Sequence, residues 1–453
     1  MLRISRHTFT SLSSYSRMLV FFLCVHALNV HAQAREQWVT EFGTKVIFIQ
    51  STSLPMVDVA VDFVAGAAFD PDGKEGLSRL TMRLLDTGTR QYDEHAIAER
   101  LATTGSQMGG RFDLDRAGIT LRSLSYDEPL GQSVDLLADI LSNPIFPQEV
   151  LDREINASLV SLRESNTRPA SIASRALHQT LFGEHPYRST GEGSELTLQL
   201  LTRDDLVGFH SRFYRASNAV ITIVGDLNEV QAREIAQQVS GNLPQGSLDR
   251  ERLAANAPSA EAKELIIPHE ATQAHIRIGM VGIRRGDPDH LPLALANQIL
   301  GGGGMTSILY DELREKRGMT YGVGSYFSPL KDPGPFVIAF QTRKDQAWEA
   351  LEVTLTILSD FIRNGPDLEQ VDRAKKYLIG AFALNVDSNG ELLDYYAAIG
   401  FYDLPIDYID SFSRRVKAVT LDQVKDAVSR RMSLDKTVRI IVGPEKRPNE
   451  PNG

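Results

Sequence analysis

The chain repeats itself. The segment beginning at Leu201, LTRDDLVGFHSRFYRASNAVITIVGDL, aligns without a gap on VTLDQVKDAVSRRMSLDKTVRIIVGPE from Val419. Thr202 falls on Thr420, Asp204 on Asp422, Arg212 on Arg430 and Val224-Gly225 on Val442-Gly443, each at an offset of 218. A second echo lies earlier in each copy. VDVAVDFVAGAAFDPDG and AHIRIGMVGIRRGDPDH place Asp70-Pro71 on Asp287-Pro288 at an offset of 217. Two matches at nearly one spacing imply duplication of a unit of roughly 200 residues, a normal domain size.

Each copy of the longer match reads as a capped helix, a short turn and a strand that ends at glycine. Strand patterns at Val57–Val64 and Ile276–Val281 precede helical patterns at Ile172–Leu181 and Asp367–Ala383. The expected class is α+β: two homologous α/β-sandwich domains, each an antiparallel sheet with helices packed on it. The expected bounds are 35–242 and 263–446. Residues 243–262, with Pro244, Gly246 and Pro258, form a polar linker, and 447–453 a flexible tail.

The first 34 residues stand apart. Arg3, Arg6 and Arg17 precede an apolar run from Met18 to about Leu28, followed by small residues at Ala32 and Ala34, with no acid before Glu36. This is the pattern of a removable secretory leader, expected to end near residue 34. Its Ser- and Arg-rich composition also suits a mitochondrial presequence, but the unbroken Leu19–Val25 run favours export to a Gram-negative periplasm. Cys24 is the only cysteine, so the processed chain has neither disulfides nor thiolate metal ligands. Losing three arginines takes the formal charge of -10 to about -13, which disfavours nucleic acid as a partner. No later segment is apolar for long enough to span a bilayer, so no stable membrane anchor is expected after processing.

Two motifs carry the chemistry. The first is Gly76-Leu77-Ser78-Arg79-Leu80-Thr81-Met82-Arg83-Leu84-Leu85-Asp86-Thr87-Gly88-Thr89. The second runs from Leu300 through Gly301, Gly302, Gly303 and Gly304 to Arg314, Gly318 and Tyr321. With them go Gly183-Glu184-His185-Pro186-Tyr187 and Tyr214…Asn218…Val224-Gly225-Asp226. Together these resemble the pitrilysin-like, or insulinase, zinc peptidases (inverzincins) over essentially the whole chain after the leader. In that family H-x-x-E-H sits on a helix between Gly-Leu and Gly-Thr; its histidines hold zinc and its glutamate is the general base. Here Arg79 and Arg83 occupy the histidine positions and Met82 that of the base. A guanidinium has no lone pair to give a metal, and a thioether takes no proton from water.

The family's third ligand, a glutamate, would fall near Leu159–Ser161, where there is no carboxylate; Glu154 and Glu164 lie off register. No other zinc motif is present. His95 and Glu99 have helical spacing but lack a third ligand, and read as a solvated helix face. Glu184-His185 reads as a local turn device rather than an acid–base pair. The four glycines are followed by no Gly-Lys-Ser/Thr, which argues against a phosphate cradle.

In the family, the arginine of the second motif clamps substrate backbone carbonyls, and the tyrosine hydroxyl donates to the oxyanion. The resemblance assigns those roles to Arg314 and Tyr321, with Arg317 the next candidate if the register slips. The plainer alternative is that Arg314 pairs with a carboxylate while Tyr321 packs on the sheet. The resemblance also implies a half-clamshell shape that pairs with a zinc-bearing chain. The expected function is thus the non-catalytic subunit of a heterodimeric zinc metalloendopeptidase. It holds no cofactor itself, binds extended peptides, and supplies Arg314 and Tyr321 to the H-x-x-E-H partner. The alternative is an exported scaffold or binding protein without a role in proteolysis.

Overall fold

A computed structural model describes residues 35–246, 261–384, 386–444 and 446–447. The expected leader, most of the expected 243–262 linker and nearly all of the expected tail lie outside the described residues. Among the described residues, eleven strands form two sheets. The first contains β1 (Arg35–Val39), β2 (Lys45–Gln50), β3 (Met56–Phe63), β4 (Gln107–Phe112), β5 (Ala117–Leu124) and β6 (Ala219–Gly225), in the order β1-β2-β6-β3-β5-β4. The second contains β7 (Lys263–Pro268), β8 (Gln273–Val281), β9 (Val323–Phe327), β10 (Pro335–Arg343) and β11 (Val438–Gly443), in the order β7-β11-β8-β10-β9. Read from β2, the first order is the second order repeated, so the duplication seen in the residues is a duplication of topology.

The sheets, expected to be antiparallel, are so except at one pairing in each. β2 pairs with β6 in parallel, as β7 does with β11, while the other neighbours are antiparallel. The reason is connectivity. Each of these pairs is joined through most of its half, which leaves ample chain for the crossover a parallel pair requires. The repeated helices start where Thr202 and Thr420 predict. Each threonine hydroxyl accepts from the backbone N–H three residues on, and Asp205 or Gln423 bonds back to complete a capping box.

Along β2, Val46 and Phe48 enter the core of the first half, while Ile47 and Ile49 point to the opposite face. That face is covered by a helix from the second half, Asn389–Phe401, through Leu392, Leu393, Tyr396 and Ile399. The exchange is mutual. The first-half helix Pro169–Phe182 packs Ala173, Leu177 and Leu181 against Val337, Val438, Ile440 and Val442 of the second sheet. The fit is close on both sides: a Cβ on Gly279 would lie 2.7 Å from Leu177, and one on Gly400 would lie 2.8 Å from Val220. Burying a large apolar side chain contributes roughly 1.5–3 kcal/mol, so each donated helix is a large part of the other half's stability. Each sheet takes its strands from one half, but neither half covers both faces of its sheet alone.

Polar contacts tie the same junction. Buried Asp115 accepts from the Tyr187 hydroxyl at 2.5 Å, the Tyr402 hydroxyl at 3.0 Å and the Lys331 backbone N–H at 2.8 Å. Arg111 donates to Asp62 at 3.0 Å within the first half and reaches Asp394 across the junction at 2.5 Å. Among the described residues no helix is long and apolar enough to cross a membrane.

Candidate functional site

The first motif forms the short helix Leu77–Arg83. Gly76 precedes it with φ +103°, and the Asp70 carboxylate accepts from Gly76 N at 2.8 Å and Ser78 N at 2.7 Å, capping the helix from outside it. Burial outweighs these bonds and pushes the Asp70 carboxyl up to about 6. Asp70 thus serves the helix end, which accounts for the Asp-Pro echo in this copy.

Each residue in a zinc-motif position has a structural occupation. Arg79 donates from Nε to the Gly191 carbonyl at 2.9 Å and from Nη2 to that of Thr190 at 3.2 Å, and its guanidinium lies 4.6 Å from the Phe112 ring centroid. Met82 is 8% exposed and fills the space beside β4, where a Cβ on Gly110 would meet its sulfur at 2.4 Å. Arg83 bonds Glu154 on the helix Gln148–Asn166 at 2.6 Å. Read as off register for a ligand, Glu154 proves to be the counter-charge of Arg83. The pairing was open to anticipation, since a cation beside a helix favours a nearby carboxylate. At the expected third-ligand position Leu159 is buried. These residues do not fit a zinc ion, and among the described residues no three His, Cys, Asp or Glu side chains are grouped to hold one. His95 and Glu99 are exposed.

The GEHPY segment is a turn. His185 is buried, and its Nδ1 accepts from the Tyr187 N–H at 3.2 Å; its Nε2 lies 3.4 Å from Asp332 of the second half. Burial depresses its basicity, with Asp332 acting in the opposite sense. Glu184 is exposed and lies 3.7 Å from Arg188. The segment orients Tyr187 onto Asp115 and so belongs to the junction.

The second motif is built differently. The glycine loop turns through Gln298–Gly302, and a Cβ on Gly301 would meet Ser325 Oγ of β9 at 2.5 Å. Glycine is needed there for close packing on the sheet. A helical stretch, Ile308–Tyr310, continues as a wider π turn over Asp311–Glu315. It stops where Gly318 takes φ +61°, with Gly318 N donating to Arg314 O at 3.0 Å and Met319 N to Leu313 O at 2.8 Å. Thr320 then locks the chain to β10, its hydroxyl donating to the Gln341 carbonyl at 2.7 Å.

Tyr321 follows on this fixed stalk with 81% of its surface exposed. It does not pack on the sheet. Arg314 Nη1 donates to the Tyr321 carbonyl at 2.8 Å, and its guanidinium lies 5.0 Å from the Tyr310 ring centroid. Its nearest carboxylate, Glu315, is 3.8 Å away and 59% exposed, too solvated to command it. Arg317 is paired with Glu312 and belongs to the solvated face. The fold therefore joins Arg314 and Tyr321 and presents both to solvent.

Comparison with known proteins gives two family matches. Residues 45–194 match the family described as Insulinase (Peptidase family M16), and residues 200–378 match Peptidase M16 inactive domain. A solved Pseudomonas fluorescens structure, described as a peptidase M16 inactive domain, is 35% identical. It superposes with a TM-score of 0.86 over 91% of this chain and 98% of its own. An uncharacterized zinc protease of Streptomyces coelicolor is 26% identical, over 84% of this chain and 83% of its length. The Helicobacter pylori protein named non-peptidase homolog YmxG is 22% identical, over 95% of this chain and 99% of its own. The chain belongs to the M16 (insulinase) peptidase family. It is an inactive member of that family, consistent with a non-catalytic subunit.

Proposed function

We propose that this chain is the substrate-binding, non-catalytic subunit of a heterodimeric zinc metalloendopeptidase, and that it supplies Arg314 and Tyr321 to the active site of an H-x-x-E-H partner. The observation that carries the reading is the exposure of Tyr321 on an anchored stalk beside an arginine. A large aromatic side chain left in water at such a rigid point, within a family of peptidases, is suited to meeting a ligand. The hydroxyl serves as an oxyanion donor and the guanidinium as a clamp for peptide carbonyls. The zinc and its activated water belong to the partner. The substrates are extended peptides or unfolded polypeptides, and the compartment is the periplasm, reached by the leader over residues 1–34. A scaffold without a role in proteolysis would have no use for an exposed Tyr321 held in this way.

The test is reconstitution. The chain is purified alone and together with a family member bearing H-x-x-E-H from the same organism, and bound zinc and cleavage of an unstructured peptide are measured. The expected result is no zinc and no cleavage for the chain alone, and cleavage by the pair. Stoichiometric zinc or peptidase activity in the isolated chain overturns the proposal. Full activity of a pair carrying both Arg314→Ala and Tyr321→Phe establishes the scaffold instead.

A further inference from the structure

A cavity of about 320 Å³ lies in the second half, between the loop Arg285–His290 and the start of the helix Tyr408–Ala418. None of its lining residues belongs to either motif, and it plays no part in the function proposed above. Its wall includes Arg285, Arg414 and Arg415. Among the described residues none of the three has a carboxylate within 4.0 Å, whereas Arg343, Arg430, Arg431 and Arg447 each do. Arg285 uses its Nε on the Pro329 carbonyl at 3.0 Å and sets its guanidinium 5.5 Å from the Tyr402 ring centroid. The Arg415 guanidinium lies 4.7 Å from the ring centroid of Tyr408. Both cations are thus steadied by aromatic rings while their terminal N–H groups stay unpaired with any acid.

Two acids share the wall. Asp287 is already compensated by Arg431 at 3.2 Å, which leaves Asp407 against three guanidinium groups. His290, whose Nδ1 lies 3.5 Å from the Tyr408 hydroxyl, adds no acid. Burial, with Arg285 and Arg415 assisting, pushes its pKa down to about 4, so the ring is neutral at pH 7 and can donate or accept. Tyr408 and Ser411 come from the first turn of their helix, whose N-terminal end also favours negative charge.

We infer that this cavity binds a small oxyanion, either a free phosphate compound or the carboxylate end of a peptide. Guanidinium forks suit both, because each offers oxygen pairs for bidentate bonds. The site has a lever on the fold. The segment that forms its wall is tied to the first half through ion pairs of Asp403 with Lys45 and Asp410 with Arg35. Occupancy therefore stabilises the junction between the halves.

The experiment titrates the full chain with pyrophosphate, with inorganic phosphate, and with a short peptide bearing a free or an amidated C-terminus. Ionic strength is held constant with chloride to remove general screening. Calorimetry and thermal unfolding are the readouts. Saturable binding and a raised Tm are expected with at least one probe. Arg285→Gln and Arg415→Gln should each weaken binding about tenfold, the effect of losing one charge-assisted hydrogen bond. Arg343→Gln, far from the cavity and paired with Asp345, should leave it unchanged. Binding only of phosphate compounds identifies a free anion as the ligand. Binding of the free but not the amidated peptide, in competition with pyrophosphate, identifies a chain terminus. Should either buried-side variant misfold, exposed Arg414→Gln provides the same test. No saturable binding of any probe, or equal binding by the folded variants, overturns the inference.

Discussion

Arg314 holds Tyr321 by the backbone and not by the ring: its Nη1 donates to the Tyr321 carbonyl at 2.8 Å, while the phenol stands 81% exposed. The arginine thereby fixes the direction in which the tyrosine points without occupying its hydroxyl. The second guanidinium nitrogen is left for other acceptors.

Separate effects on activity and stability follow from this geometry. Tyr321→Phe removes a hydroxyl with no protein partner among the described residues, so thermal unfolding should move by no more than about 0.5 kcal/mol. In a reconstituted pair the same change should lower kcat about 100-fold, the scale of losing one oxyanion donor. Steady-state kinetics and calorimetry on one preparation check both. Equal losses in stability and rate would instead make the tyrosine a packing residue.

Restoring the motif should not restore the metal. The triple substitution Arg79→His, Met82→Glu and Arg83→His supplies two imidazoles and a base, but Leu159 is buried at the third-ligand position. It also leaves the Thr190 and Gly191 carbonyls without Arg79, removes the Arg83 bond to Glu154, and puts a carboxylate where Met82 is 8% exposed. A destabilisation of roughly 3 kcal/mol or more is expected, with no stoichiometric zinc by elemental analysis. One equivalent of tightly bound zinc would refute the structural reading of these residues.

Acid should weaken the fold through His210. Its Nε2 lies 2.8 Å from the Leu141 carbonyl, its ring stacks 4.9 Å from that of Tyr214, and burial pushes its pKa down to about 4. The unfolded chain takes up this proton near 6.5, the folded chain only near 4. Its contribution is therefore present above pH 6.5 and lost as pH falls towards 4, on the order of 3 kcal/mol in all. Buried Asp70, whose pKa is raised to about 6, works in the opposite direction, so the comparison must be between wild type and His210→Gln. Glutamine can still donate to Leu141, and in denaturant unfolding the variant should lose about 3 kcal/mol less stability than wild type between pH 7 and 4. Parallel profiles would exclude His210 as the group responsible.

Cutting the chain should not separate it. A protease site introduced after residue 246 divides the sequence repeats, yet each fragment keeps a helix on the other's sheet. Native mass spectrometry should find the two fragments together. Leu177→Ala, which opens a cavity beside Gly279, should lower the stability of the intact chain by about 2–5 kcal/mol and promote dissociation of the cut form. Spontaneous separation into two folded pieces would show that the exchanged helices are dispensable.

Much of this molecule is local, and the local part was legible. Thr202 and Thr420 cap their helices because the cap depends on residues three positions apart, and Gly318 ends its helix because a left-handed residue is needed there. The resemblance of the Gly-Leu…Gly-Thr segment to the family motif located the helix of Arg79, Met82 and Arg83, and side-chain chemistry argued against zinc. The order of the repeat likewise foretold two similar domains.

Contacts between distant residues required the folded chain. That Glu154 answers Arg83, that Met82 fills the space over Gly110, and that Asp115 gathers Tyr187, Tyr402 and Lys331 depend on where whole elements dock. The parallel β2·β6 and β7·β11 pairs and the exchanged helices share that origin. A strand apolar on both faces announces that both will be buried, but not which half of the chain will cover each. Sequence by itself determined the duplication, the helix ends and the inability of Arg79 and Arg83 to ligate a metal, because these follow from residue type and short spacing. Tertiary structure decided the exchange of helices and the exposure of Tyr321 beside Arg314, because burial is a property of the packed whole.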